Sequence, residues 1–555
     1  LIFGILFFKL AELGLVNIIN GEINYNLFID WQTVLFTLIS FAIIFVLILL
    51  KSLFKIKISN PIELLHSENA GEKPPKANWF LGILGAISLG VAYFISLTTK
   101  SPYQLIISFF IAVLLVIIGT YLLFVSGSVL LCRILQKNKR YYYKANHFVS
   151  VSSMMYRMKR NGSGLASICI LATMVLVMLS STTSLYFGVE DSLNERYPKE
   201  FNVQIQTKNQ NSINDNLIKN IDTYVENKCS QNGTVPKNKA YYKTIETTGK
   251  IKNSVLELSS NNFNGSIENI YQIYMVSLDD YNKIMGKSET LKKNEILIHT
   301  SRTKYSENSL TINKGNTFKI VKQLDEFWSD GSAAMSIFPS LFMVVSDLDY
   351  ATKGISGLVD DKGKPMLEAK LTYGFDSSLN SEKQIKLCND FSDASKKSLI
   401  SNNNISSINF ESRSSNKTDY YGLFGGLFFI GIILSILFIS AAVLIIYYKQ
   451  IVEGYEDKKR FEIMQKVGMT KKEIRKSINS QLLTVFFMPL IGAGIHLFFA
   501  FPLIQKMLLT FNLNNILLFA TTTILCFLAF GFFYALIYRI TSNSYYNIVS
   551  SKESD

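Results

Sequence analysis

Few residues in this chain are of types and spacings that could do chemistry, and most of those patterns stop short of a site. His299 stands beside Thr300 and Ser301, but a nucleophile with its base also needs a third group to orient it. No GxSxG or HExxH pattern supplies one. Asp279–Asp280 and Asp360–Asp361 are adjacent carboxylates, a spacing that suits turns and surfaces better than a paired acid and base. The nearest approach to a phosphate-binding loop, GLVDDKGKP at 357–365, has the wrong glycine spacing and no Ser or Thr after the lysine. Cys229 and Cys388 lie in the polar middle of the chain and could form one disulfide. Cys169, Cys526 and Cys132 lie in or at the end of apolar runs, and no CxxC or Cys/His cluster points to a metal. Four bases, Arg196, Lys199, Arg413 and Lys417, flank the two ends of the polar middle. They are either a cradle for an anionic group at a membrane surface or ordinary solvated residues at its edge. Lys9 with Glu12, and His496, stand inside apolar runs, where ionisable groups are often functional but also serve as self-neutralising or packed residues.

The elements that would position these groups are membrane helices. Of 555 residues, 48% are hydrophobic and only 18% charged, so long windows are nearly free of charge. Eight runs reach the roughly 20 apolar residues that a helix needs to cross a bilayer: 1–19, 32–52, 79–98, 103–131, 164–187, 422–448, 481–506 and 513–539. The chain starts inside an apolar run with no initiator Met, and further spans are expected before Leu1.

Lys and Arg in the short connections set the orientation. Residues 132–163 carry Arg133, Lys137, Lys139, Arg140, Lys144, Arg157, Lys159 and Arg160 with no acid; 449–480 and 53–78 are also basic. The alternate connections are poor in bases. The basic side is read as cytoplasmic, with a tail at 541–555, and residues 188–421 therefore lie outside. That segment has 29 basic and 29 acidic residues, so the net charge of +14 resides entirely in the membrane half. Orientation explains this excess, and a nucleic-acid partner is not expected.

Residues 188–421 are long enough for one sizeable domain or two small lobes. FNVQIQ (201–206), NIYQIYMVS (269–277), FKIVK (318–322) and SLFMVVS (340–346) read as strands. Residues 212–228 and 381–397 read as amphipathic helices. NNFNGS (261–266), DDKGKP (360–365) and SNNNISS (401–407) read as turns. The fold class is thus a polytopic α-helical membrane protein with a large α+β extracytoplasmic domain. The run SLYFGVEDSLNERYP (184–198) should carry the preceding span outward as a stalk.

The most informative stretch is KQIVEGYEDKKRFEIMQKVGMTKKEIRKSINSQ, 449–481. Phe461, Met464 and Val467 repeat at helical spacing, Gly468 can end that helix, and Thr470 with Glu473 forms a capping box for the next. A short helix, a tight turn and a second helix are expected at the inner membrane face. Spacing alone leaves a basic amphipathic linker equally open.

The residue types in that stretch resemble the coupling region of FtsX/MacB-type ABC permeases, whose short helix docks into a groove of the ATPase subunit. The resemblance implies that role for Phe461, Glu462, Met464, Gln465, Val467, Gly468, Met469 and Thr470. A second stretch, Tyr156, Arg157, Met158, Lys159, Asn161, Gly164, Leu165, Ala166 and 168–171, is similar to the run before the outer domain of Bce-type bacitracin-resistance permeases. The outer domain matches by position and size only. Such permeases have ten spans, in two four-helix FtsX-like units separated by an extra pair. The resemblance therefore implies a remnant of the first unit at 1–52, the extra pair at 79–131, and a complete final unit at 164–540. It further implies a partner ATPase that binds ATP and Mg, no cofactor on this chain, and no catalysis by it. The expected function is resistance to cell-wall-targeting peptide antibiotics acting on a lipid-linked precursor, whose pyrophosphate would rest on Arg196, Lys199, Arg413 and Lys417, with signalling to a sensor histidine kinase. A regulator of cell-wall hydrolases and an exporter of another amphipathic substrate are the alternatives.

Overall fold

A computed structural model describes residues 2–19, 31–58, 79–99 and 102–550, apart from 138, 143–144, 208–211, 259–268, 302, 304, 314, 328–330, 332, 334–335, 337, 361, 401–404, 467 and 469. The apolar runs are helices because a backbone in lipid must satisfy its own hydrogen bonds. Helices α1 (Ile2–Ile19) and α2 (Trp31–Ile58) come first. The pair α3 (Trp79–Thr98) and α4 (Pro102–Leu122) follows, and α4 passes through a π turn at Leu123–Gly127 into α5 (Ser128–Lys137). After α6 (Lys139–Tyr142), α7 (Ala145–Phe187) carries the chain to the large domain.

Among the described residues, seven helices are long and apolar enough to cross a membrane. The eighth expected span is also helical: α1 runs along the start of the helix that leaves the large domain, with a Cβ at Gly425 placed 3.0 Å from Ile18. Lys9 and Glu12 neutralise one another across 2.9 Å within α1. The chain is a multi-pass membrane protein.

The large domain opens with a short helix, α8 (Val189–Arg196), set off from α7 at Gly188, so the expected stalk is present as a jointed helix. Strands β1 (Phe201–Thr207), β2 (Lys237–Lys252), β3 (Val255–Glu257), β4 (Ile270–Ser277), β5 (Glu295–Ser301), β6 (Ser309–Ile312), β7 (Thr317–Gln323), β8 (Ser340–Val345), β9 (Glu368–Asp376) and β10 (Ile405–Ser412) form one sheet. Its order is β10-β1-β9-β2-β3-β6-β7-β5-β8-β4, and β4 also pairs with β2. The last seven strands therefore close into a ring, while β10, β1, β9 and the first half of β2 make an open antiparallel sheet. The domain is two lobes that share β2.

Helices α9 (Asp215–Gln231) and α12 (Ser381–Ile400) cover the open sheet, burying Ile205, Ile221, Val225, Leu371, Phe375 and Phe391. Cys229 and Cys388 are buried in this same core as free thiols. The ring has its own core around Ile245, Ile273, Phe318 and Met343, flanked by α10 (Leu278–Met285) and α11 (Leu348–Thr352). The four expected strands are β1, β4, β7 and β8. The turn expected at 401–407 gives way to strand at Ile405, where β10 pairs with the alternating inner residues of β1. Residues 261–266 lie outside those described. His299 donates from Nδ1 to the Leu324 carbonyl at 3.0 Å, Asp280 accepts from the Lys243 backbone, and Asp360 closes a turn onto Lys362 and Lys364. Each has a structural partner.

From β10 the chain enters α13 (Arg413–Lys466), a single 54-residue helix, then α14 (Lys471–Thr510) and α15 (Ile516–Ser550). The expected short coupling helix is not separate; it is the end of α13, since the stretch between the span and Phe461 has no proline and a single glycine, Gly454. The basic stretch 132–163 is likewise mostly helical, and α15 runs on to Ser550 through the expected tail. Helices α7, α13, α14 and α15 pack around Leu176, Ile446, Ala493 and Phe530 as a four-helix unit.

Candidate functional site

The final unit carries a functional feature at each end. At the end remote from the large domain, α13 stops at Lys466 and α14 starts at Lys471. Gly468 between them has φ +106°, a backbone conformation that residues with a Cβ rarely adopt, and it is exposed. Thr470 stands immediately before α14, where the capping residue was expected. Val467 and Met469 lie outside the described residues; Met464 and Gln465 belong to the last turns of α13.

Phe461 does not face outward with this turn. It is 5% exposed and packs with Leu482, Tyr545 and Val549, bringing the end of α15 against α13. The Tyr545 hydroxyl donates to the buried Asp457 carboxylate at 2.6 Å, closing the same contact. The surface left for a partner is therefore the other face: Glu462, exposed Ile463, Gly468 and Thr470. Phe461→Ala should accordingly cost about 3–5 kcal/mol of local packing. Its thermal unfolding should fall in purified permease with no partner present, and an unchanged transition would place Phe461 outside this core.

At the other end, the loop between α14 and α15 grips the stalk. Gly188 brings the stalk so close to this loop that a Cβ there would lie 2.1 Å from Leu513 Cδ1. Ser192 donates to the Asn512 carbonyl at 3.1 Å and Asn512 Nδ2 donates back to the Ser192 carbonyl at 3.3 Å; both residues are buried. Asn512 holds φ +62°, which asparagine tolerates better than most residues. Asn515 reaches Asp191 at 3.0 Å and Asn514 reaches Glu195. Val189 and Leu193 are fully buried beneath this polar seam. Sequence reasoning passed over this clamp; its only trace is the asparagine-rich turn FNLNN at 511–515.

The four bases proposed for a pyrophosphate lie at the base of the large domain, and each meets a group of this chain. Arg196 pairs with Glu411 at 3.1 Å and lies over the Tyr197 ring. Lys199 pairs with Asp376 at 3.1 Å. Arg413 donates twice to the Tyr197 carbonyl, at 3.1 and 2.7 Å. Lys417 pairs with Glu190 at 2.6 Å. Together they brace the stalk against β9, β10 and the start of α13, and a phosphate there would compete with carboxylates already in place.

The same pairs give the brace an acid limit. The Lys417 hydrogen bond holds the Glu190 carboxyl below its ordinary range. Burial works against ionisation of Asp376, but hydrogen bonds from Asn238, Lys199 and the Glu200 amide outweigh it and hold that carboxyl low as well. A depressed carboxylate stabilises the fold above its ordinary pKa and loses that contribution as pH falls through its folded value. Protection of the Glu200 amide, which donates to Asp376 at 3.2 Å, should hold from pH 7 to 5 after correction for intrinsic exchange, and fall below about pH 4. Loss of protection already at pH 6 would contradict this assignment.

Away from these two features, α3 is zipped to α14 by polar contacts. The Thr120 hydroxyl spends its one proton on the Val116 carbonyl, so His496 Nε2–H donates to it at 3.0 Å and the Tyr93 hydroxyl donates to Nδ1 at 2.7 Å. Ser96 donates to the Phe499 carbonyl at 2.6 Å, and Lys506 to the Thr99 carbonyl at 2.7 Å. His496 is thus a buried, bonded residue joining the extra pair to the final unit.

Residues 432–547 match the model of the FtsX-like permease C-terminal domain. That segment holds both the Gly468 turn and the 511–515 loop. The chain carries an FtsX-like permease C-terminal domain. The permease is 23% identical to the uncharacterized ABC transporter permease YvcS of Bacillus subtilis, over 98% of this chain and 80% of that protein. It is also 23% identical to the bacitracin export permease protein BceB of B. subtilis, over 89% of this chain and 73% of the relative. A bacitracin export permease protein of Halalkalibacterium halodurans is 29% identical over 30% of this chain and 27% of its own length. The similarity to the two B. subtilis proteins runs along nearly the whole chain. A permease domain of this family implies a partner ATPase.

Proposed function

We propose that the permease gives resistance to cell-wall-targeting peptide antibiotics of the bacitracin or lantibiotic type, driven by a separate ATPase that binds the ATP and Mg. The observation that carries this reading is the unbroken helix α14, which joins the coupling turn at Gly468 to the stalk clamp at 511–515. A displacement of the turn by a closing ATPase reaches the large domain along one helix, with Pro489 and Pro502 as its points of bending. The similarity to bacitracin export permeases supports the substrate class. The basic connections put the turn in the cytoplasm and residues 188–421 outside, where peptides and lipid-linked wall precursors are met. The resemblance to Bce-type permeases supports a sensor histidine kinase as a second partner. In this reading the permease itself is non-catalytic.

The test is genetic and biochemical. Deleting the gene should sensitise cells to at least one of bacitracin, lantibiotics or related peptides. Wild type should restore resistance, whereas Ile463→Asp should not, with the ATPase lost from the purified complex. Unchanged susceptibility to every peptide would favour a regulator of wall hydrolases instead.

A further inference from the structure

At one end of the ring in the large domain, where β4 and β8 give way to α10 and α11, lies a polar cavity of about 480 Å³. Strand register explains its polarity. Ile245 and Met275 face one another in the ring core, and on each strand the residue two positions toward this end, on the same face, is polar: Lys243 and Ser277. Lys293, Ser346, Asp347 and Asp349 extend the polar wall. Several of these groups are already engaged. Asp347 accepts from the Asp349 and Tyr350 amides at 2.9 and 3.3 Å, and Ser277 accepts from the Asp280 amide at 3.1 Å. Ser346 donates to the Lys292 carbonyl at 3.4 Å. The two lysines differ: among the described residues, neither ammonium has an ion-pair or hydrogen-bond partner. Lys243 is half-buried. That burial lowers its pKa, and the charges of Asp349 and Asp280 only partly offset the effect. An ammonium held there without an acceptor is costly, and an anion in the cavity would relieve it.

We propose that this cavity binds one carboxylate group, which accepts hydrogen bonds from Lys243 and Lys293. The wall selects the class of anion. Two lysines and two aspartates leave it without net charge, so a doubly charged phosphate would be repelled by Asp347 and Asp349 more strongly than a carboxylate. A neutral ligand would leave both ammoniums without a charged acceptor, whereas the two oxygens of a carboxylate offer one to each. A small carboxylic acid and the C-terminus of a peptide present the same group. The site is independent of the resistance role proposed above.

The experiment acylates the full-length permease in detergent with N-hydroxysuccinimidyl acetate at about pH 8, and follows each lysine by peptide mass spectrometry. A lysine whose ammonium is held by a carboxylate has less free amine to react. The probes, compared at matched ionic strength, are an N-acetylated dipeptide with a free C-terminus, its C-terminal amide, acetate and inorganic phosphate. The free-acid dipeptide should slow acylation of Lys243 at least threefold, and the amide should leave it unchanged. Lys219, exposed on α9, should react at one rate throughout. Lys293→Gln changes an exposed residue and should raise the half-protecting concentration severalfold. Protection by acetate equal to that by the dipeptide supports the site and identifies a small acid as sufficient; weaker protection by acetate supports it and identifies a peptide C-terminus. Absence of protection by both carboxylates, equal protection by the amide, stronger protection by phosphate, or unchanged protection in Lys293→Gln overturns the proposal.

Discussion

Gly188→Leu is expected to leave the permease in the membrane at normal abundance while resistance collapses. The position tolerates no side chain: a Cβ alone would stand 2.1 Å from Leu513, whose side chain is 4% exposed and has little room to yield. Overpacking of this kind costs about 1–3 kcal/mol. That is enough to shift the stalk off the loop roughly tenfold to a hundredfold without unfolding the four-helix unit, whose core lies deeper around Leu176 and Ala493. Hydrogen exchange should rise at 189–196 and 511–515 and stay unchanged in α7. The milder Gly188→Ala should be rescued in part by Leu513→Ala, because the second change removes the methyl that the first would strike. Full resistance in Gly188→Leu would mean that motion reaches the large domain without the clamp.

Gly468→Pro should be as damaging at the opposite end, for a purely backbone reason. Among the described residues no atom lies within 4 Å of a Cβ built at Gly468, so steric clash is not the reason. Its φ of +106° is nevertheless out of reach for proline, which is fixed near −65°. The turn must rearrange, and α13 and α14 then present Glu462, Ile463 and Thr470 in a different relative position. The variant should lose its ATPase on purification and protect cells no better than a deletion. Gly468→Ala, which pays a left-handed backbone penalty of about 1–2 kcal/mol, should fall between the two. If Gly468→Pro protects cells fully, the coupling role of this turn is wrong.

The membrane helices were legible because lipid imposes one solution on a long apolar run, and the turn at Gly468 because glycine and threonine punctuate it. Strands β1, β4, β7 and β8 were legible because their apolar runs are bounded by turn residues. The polar strand β2, KNKAYYKTIETTGKIK, was not, because Thr244, Thr247 and Gly249 take buried positions where apolar residues would have marked a strand. The inward turn of Phe461 was hidden for another reason: its partners Leu482 and Tyr545 belong to other helices, and helical spacing says only which residues share a face. The clamp escaped notice because asparagines in a loop read as a turn, and their bonds to Asp191, Ser192 and Glu195 span more than 300 residues of sequence.

The strand shared by the two lobes makes the large domain a lever. The sixteen residues of β2, fully extended, would reach roughly 50 Å, and they start in the sheet whose β1 and β10 are continuous with the stalk and α13. A tilt of about 10° at that base would carry the far end of a strand of this length some 9 Å, by simple trigonometry on the strand rise. Small axial shifts within the bilayer thus become displacements at the distal ring comparable to the width of a bound peptide.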